Sequence, residues 1–203
     1  MITIVDYGLG NVQAFANIYK RLNIPVCTAQ NAEQLAQAER IILPGVGAFD
    51  WAVQRLEATG MRVCLDELVL ERKLPVLGVC VGMQIMARRS DEGELPGLGW
   101  FDAEVKRFDD SATGKEKMRL PHMGWNDAVQ DGAGLFAGLP ASRFYFLHSY
   151  FFSPGNEEQV LARTDYHGSF ASAVRSGNIF GVQFHPEKSH QWGIQLLKNF
   201  AEL

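Results

Sequence analysis

The stretch Gly78-Val79-Cys80-Val81-Gly82 constrains this chain more than any other. It follows an apolar run, Leu74-Pro75-Val76-Leu77, that reads as a buried strand, and precedes Met83 to Arg89, which reads as a helix. A Cys or Ser with Gly two residues to either side, at a strand-to-helix junction, is the pattern of a nucleophile elbow. The turn is too sharp to leave room for side chains beside the central residue, and the glycines supply that room. It lifts the sulfur above the sheet edge, at the start of the next helix, where unpaired N–H groups favour the reactive thiolate. The competing reading is a small cysteine packed in a core strand.

A buried strand of this kind needs covering layers on both faces. The first half of the chain supplies them by alternating strand and helix. Ile2 to Val5 is an apolar strand, and Val12, Phe15, Ala16, Tyr19 and Leu22 recur at helical spacing. Val26 lies in a second strand with Cys27. Asn31 and Gln34 have the spacing of a helix cap, Arg40 to Leu43 is a third strand, and Phe49, Ala52, Val53 and Leu56 form another helical face. Such alternation implies a parallel sheet covered on both sides. The second half is richer in strand signals: Phe101 to Phe108, Trp125 to Val129, Arg143 to Phe152, Gln159 to Arg163, Ser169 to Val174 and Ile179 to Phe184. Turn-formers separate them, and a helix from about Gln191 to Phe200 closes the chain. Asp109 to Lys117 is polar and reads as a mobile loop. The prediction is an α/β fold, a single open, mostly parallel sheet flanked by helices with additional antiparallel strands, in one domain over residues 1–203.

A cysteine nucleophile needs a base, and the base needs a group to hold its tautomer. Gly181-Val182-Gln183-Phe184-His185-Pro186-Glu187 offers both. Pro186 favours an extended His185, and residues two apart on extended chain share a side, so Glu187 can reach back to the imidazole. Taken alone, His185 reads equally well as a strand-end histidine and Glu187 as a solvated carboxylate.

Together, Gly-Val-Cys-Val-Gly-Met-Gln and Gln-Phe-His-Pro-Glu-Lys-Ser resemble the motifs of the class I (triad) glutamine amidotransferases. Pro44-Gly45-Val46-Gly47, Pro121 to Asn126 and His148-Ser149-Tyr150 narrow the resemblance to the glutaminase subunits of imidazole glycerol phosphate synthase, and the likeness covers the whole chain. It implies a flavodoxin-like sheet and hydrolysis of L-glutamine to glutamate and ammonia by Cys80, His185 and Glu187. By the same resemblance, Val81, Val46 and Gly47 would form the oxyanion hole, and Gln84, Gly45, Ser149 and Tyr150 the substrate site. In this family the Val46 peptide is misoriented until a partner engages. That partner is a (β/α)8-barrel cyclase forming a heterodimer with the glutaminase, and Asn11, Met123, Trp125 and Lys188 would face it. Ser189-His190 departs from the small residues common at that point. On residues alone, Gln84 also reads as a solvated helix position, and Met123 and Trp125 as core packing. A paralogous glutaminase feeding another ammonia acceptor carries the same motifs.

Composition bounds the alternatives. A formal charge of −4 gives no electrostatic case for nucleic acid or an anionic membrane. No apolar run approaches the roughly 18 residues of a membrane span, and Met1 to Asp6 lacks the basic start of a signal peptide. The 3 cysteines, an odd number, point to packing roles for Cys27 and Cys64 and to a reducing cytoplasm. The 5 histidines are scattered without metal-ligand spacing, and Asp6-Tyr7-Gly8-Leu9-Gly10-Asn11 lacks the third glycine of a dinucleotide fingerprint, since position 13 is Gln13. Neither metal nor cofactor is expected.

Overall fold

Helices and strands alternate through the first eighty residues as the apolar spacing predicts. In the computed structural model, which describes residues 1–109, 118–139 and 142–203, they are β1 (Ile2–Val5), α1 (Val12–Arg21), β2 (Val26–Ala29), α2 (Ala32–Leu35), β3 (Arg40–Leu43), α3 (Phe49–Ala58), α4 (Met61–Asp66) and β4 (Val76–Val79). The buried face of α1 is Phe15, Ala16 and Tyr19, and that of α3 is Phe49, Ala52, Val53 and Leu56. Asn31 caps α2 by accepting from the Gln34 N–H at 3.0 Å. The reciprocal arm differs from a capping box: Gln34 Oε1 accepts from the Gln30 N–H instead. Cys64 lies on α4, which runs into a π-helical turn over Glu67–Glu71.

The remainder is α5 (Val81–Gln84), β5 (Arg89–Ser90), β6 (Ala103–Arg107), β7 (His122–Gln130), β8 (Ser142–His148), β9 (Tyr150–Pro154), β10 (Val160–Asp165), β11 (Ser169–Ser176), β12 (Ile179–Val182) and α6 (His190–Glu202). One sheet runs in the order β2-β1-β3-β4-β12-β11-β10-β7-β8, and β5-β6-β9 form a second. The first five strands of the large sheet are parallel and the rest antiparallel. β4 sits between β3 and β12, and Val76 and Leu77 are fully buried. Each such side chain contributes about 1.5–3 kcal/mol by leaving water.

Three expectations change. The helix after Cys80 has four residues and does not reach Arg89. The carbonyls of Ile85, Met86, Ala87 and Arg88 accept from the N–H groups of Leu98, Phe101, Gly99 and Gly97, so a loop takes the acceptors that a longer helix would use. Arg143 to Phe152 is not one strand: it breaks at Ser149, with β8 in the large sheet and β9 in the small one. The chain after His185 is not extended, because Pro186–Lys188 form a 3-10 turn. Of the polar stretch Asp109 to Lys117, all but Asp109 lies outside the described residues. Among the described residues no helix is long and apolar enough to cross a membrane.

Candidate active site

The carboxyl ends of β3, β4 and β12 meet at one edge of the sheet, where open α/β folds bind ligands. Cys80 follows β4 directly and is the N-cap of α5, with φ 56° and ψ −114°. Only a small fraction of non-glycine residues adopt positive φ, and they concentrate where the surrounding structure imposes it. Here the Cys80 N–H is held by the Val182 carbonyl at 2.8 Å, and its own carbonyl accepts from Met83 and Gln84. Because β4 and β12 pair in parallel, with Gly78 beside Gly181, residues just past each strand become neighbours. That register brings His185 to Cys80, although the two stand far apart in the sequence.

His185 Nδ1 lies 2.9 Å from Glu187 Oε1. The contact expected from extended chain is thus made through the turn at Pro186. Ser189 braces it: its hydroxyl donates to the His185 carbonyl at 2.6 Å and accepts from the Tyr145 N–H at 3.0 Å. The His185 and Glu187 side chains are each 2% exposed, and Glu187 Oε2 has no hydrogen-bond partner among the described residues. A carboxylate hydrogen-bonded to an imidazole favours the charged form of that ring. Burial alone would push the His185 imidazole down. Hydrogen bonds to Cys80 and Glu187, with the charges on both, override it and hold the pKa up at about 10.

A cavity of about 270 Å³ opens over Cys80, and its walls include Val46, Gly47, Val81, Gln84, Ser149 and Tyr150. Gly45 is buried behind it. Gly47 has φ 93°, a conformation suited to glycine. The Tyr7 hydroxyl donates to the Pro44 carbonyl at 2.6 Å and holds the start of this segment. Gln84 is 2% exposed, which excludes the solvated reading. Its Nε2 donates to the Tyr150 carbonyl at 3.0 Å and to Gln183 Oε1 at 3.1 Å, leaving its Oε1 for other donors. Gln183 Nε2 in turn lies 3.9 Å from Cys80 Sγ.

Glu92 also lines the cavity and accepts from the Phe49 N–H at 2.8 Å. Burial raises its pKa. No motif marks Glu92; only the fold brings the Ser90-to-Gly93 loop to this edge. Met123 and Trp125 do not pack in the core: they are 65% and 38% exposed, on the outer face of β7. Trp125 stacks on His190 at 5.2 Å, and Lys188 lies over the Tyr145 ring. Asn11 caps α1 through the Ala14 N–H, next to Gly10, which packs on Pro44.

The model of the class I glutamine amidotransferases matches residues 3–203. The chain is 57% identical to imidazole glycerol phosphate synthase subunit HisH of Bdellovibrio bacteriovorus and 46% identical to that of Leptospira interrogans, each alignment covering both chains completely. The chain belongs to the class I glutamine amidotransferases, in the HisH branch. Among solved structures, a glutamine amidotransferase crystal structure superposes with a TM-score of 0.77 over 100% of this chain and 99% of the other, at 23% identity. A glutamine amidotransferase from Thermotoga maritima gives 0.61 over 92% of this chain and 75% of the other, at 17% identity. At those identities the structures speak to the fold of this amidotransferase alone.

His148 lines the cavity and His122 is hydrogen-bonded to it, and burial favours the neutral form of both. Burial lowers His122 to about 4 and His148 to about 3. Unfolded imidazoles take up protons below about 6.5, whereas these two resist until far lower. Stability should therefore be full above pH about 6.5 and decline as pH falls, by about 2 kcal/mol per histidine at pH 5. His185 shifts the other way, its contribution complete below about 6.5 and lost only toward pH 10, so it does not cause the acid loss. Urea midpoints of native protein and of His122→Phe at pH 7.5 and pH 5 check this. The variant should lose less on acidification; equal losses would refute it.

Proposed function

We propose that this chain is the glutaminase subunit of imidazole glycerol phosphate synthase. It would hydrolyse L-glutamine and pass ammonia to a (β/α)8-barrel cyclase. The cyclase would make imidazole glycerol phosphate and AICAR from PRFAR in histidine biosynthesis. The observation that carries the reading is the buried Cys80–His185–Glu187 line at a strained elbow, opening on a cavity of amino-acid scale. Full-length identity to HisH subunits directs it to this acceptor.

In this mechanism, Cys80 thiolate adds to the glutamine side-chain carbonyl carbon, and the oxyanion forms between the backbone of Val81 and that of Val46 and Gly47. Each well-aimed donor there is worth about 3–4 kcal/mol. The His185 imidazolium gives its proton to the leaving nitrogen, the C–N bond breaks, and a γ-glutamyl thioester remains. Neutral His185 then takes a proton from water as its oxygen adds to the thioester. Collapse expels the thiolate and releases glutamate. Glu187 fixes the imidazole ring and stabilises its charged form. Gln84 Oε1, Ser149 and Tyr150 hold the substrate within a Gly45-backed wall, and the Glu92 carboxylate faces its α-ammonium. Free ammonia is protonated in neutral water, which makes direct transfer the useful arrangement. Asn11, Met123, Trp125 and Lys188 would form the docking face. The enzyme would be one domain over residues 1–203, working in the cytoplasm.

Glutamate release should be very slow from the chain alone and rise strongly with the cyclase and its nucleotide. Fast turnover without a partner would contradict the reading. No rise with this partner would leave a glutaminase that serves a different acceptor.

A further inference from the structure

A continuous hydrogen-bonded chain runs from β7 to the nucleophile, and the role of its histidines follows from their protons. At one end Asn126 is oriented by its backbone neighbours: Oδ1 accepts from the Asp127 N–H at 2.8 Å and Nδ2 donates to the Asp165 carbonyl at 2.8 Å. The same Nδ2 faces His122 Nε2 at 3.2 Å, which must accept. At the other end His148 Nδ1 lies 2.8 Å from the Tyr150 carbonyl, which can only accept, so Nδ1 carries the proton. His148 Nε2 is then an acceptor, and it lies 3.0 Å from His122 Nδ1. Both ends force the same assignment: two neutral imidazoles, each protonated at Nδ1. The rings are fixed as well. His122 stacks between Phe146 and Tyr166 at 4.7 and 4.0 Å, and His148 is ringed by Phe108, Phe146 and Phe170.

The Tyr150 carbonyl is the shared point. It accepts from His148 and from Gln84, whose second amide proton goes to Gln183. The orientation of Gln84 thus depends on where that carbonyl stands. We propose that His122 and His148 are positioning residues for the glutamine site: their fixed tautomers hold the Tyr150 carbonyl in place and so aim the Gln84 amide into the cavity. This rests on the glutaminase reading above. The pair is anchored on β7, the strand whose other face presents Met123 and Trp125.

The test uses His122→Phe, which keeps the ring stack but removes the donor to His148, and the pair His148→Leu and His148→Asn. An Asn amide can replace the Nδ1 donor; Leu cannot. In the complex with cyclase and nucleotide, His122→Phe and His148→Leu should raise KM for glutamine about tenfold, the effect of losing one buried hydrogen bond. The kcat, and the rate of Cys80 alkylation by iodoacetamide, should stay near native. His148→Asn should recover part of the KM. Nitrogen NMR should find both native histidines neutral and protonated at Nδ1 at pH 5.5. Unchanged KM in both His122→Phe and His148→Leu, a joint fall of kcat and alkylation, or Nε2-protonated tautomers would each overturn the proposal. If His148→Leu does not fold, His122→Phe and the NMR tautomers decide. Failure of the glutaminase reading would be seen separately, as absent glutamate release from the native complex.

Discussion

Cys80→Ala should abolish glutamine hydrolysis, by on the order of 10⁵-fold or more in kcat, while the protein melts close to native. The chemical step has no substitute for the thiolate. His185 is hydrogen-bonded to it, and Gln183, Glu187 and the two backbone segments are arranged around it. Apart from its contact with His185, the sulfur meets only the Leu147 carbonyl and Gln183 among the described residues, both at a long 3.9 Å, so the fold makes little use of it. Alanine at φ 56° is no more strained than cysteine, and the backbone bond to Val182 remains. Glutamate release with the cyclase present, paired with thermal unfolding, measures both halves. The same complex should still make cyclase product from added ammonium salts, since only the ammonia source is lost. Turnover within about tenfold of native would sink Cys80 as nucleophile. A variant that unfolds would show that the sulfur carries structural weight the geometry does not reveal.

The elbow is readable in the sequence because its constraint is local. A sharp strand-to-helix turn needs glycines at fixed offsets, and Gly78 and Gly82 stand there regardless of the rest of the chain. Helical faces such as Phe15, Ala16 and Tyr19 are readable for the same reason: periodicity is a property of neighbouring residues. The asparagine cap on α2 also appears in four letters. Features decided by distant competitors do not show. The helix after Cys80 ends early because the loop from Gly97 to Phe101 takes its carbonyls, and nothing near Ile85 announces that loop. Arg143 to Phe152 alternates like one strand, yet its two halves pair with β7 and β6, and the break at Ser149 follows from that divided pairing.

The site divides in the same way. Cys80 and His185 each sit in a motif, but their meeting depends on the β4–β12 register, which a sequence without pairing information does not contain. Extended chain accounts only incompletely for the approach of Glu187 to His185, since the turn at Pro186 makes it. Glu92 carries no local signature, and Gln183, His122 and His148 lie in motifs that do not say what each one touches. Their significance comes from what the fold sets beside them: a cavity wall, a sulfur and another imidazole ring.

Gly82→Ala should be among the most damaging single-methyl changes in the chain, and it acts on the fold and the site together. A Cβ on Gly82 would stand 2.0 Å from the Leu43 carbonyl oxygen, with Pro44 backbone at 3.1 Å. The opposing residue is equally tight, since a Cβ on Gly45 would meet the Gly82 nitrogen at 2.4 Å. Here the end of β3 and the start of α5 pack backbone against backbone, and no flexible side chain can yield. Overpacking against main chain costs about 3 kcal/mol or more, which lowers Tm by roughly 6–12 °C in a protein of this size. Any relief must come from moving the elbow away from Pro44-Gly45-Val46-Gly47. That separates Cys80 and Val81 from the Val46 backbone, so kcat should fall even in molecules that remain folded. Gly60→Ala supplies the contrast: Gly60 has φ 69° and open space around its Cβ direction. Only the left-handed backbone cost of roughly 1–2 kcal/mol applies there, and glutaminase turnover should be preserved. Equal melting shifts for the two variants, or native kcat in Gly82→Ala, would show that the elbow has room the backbone contacts do not suggest.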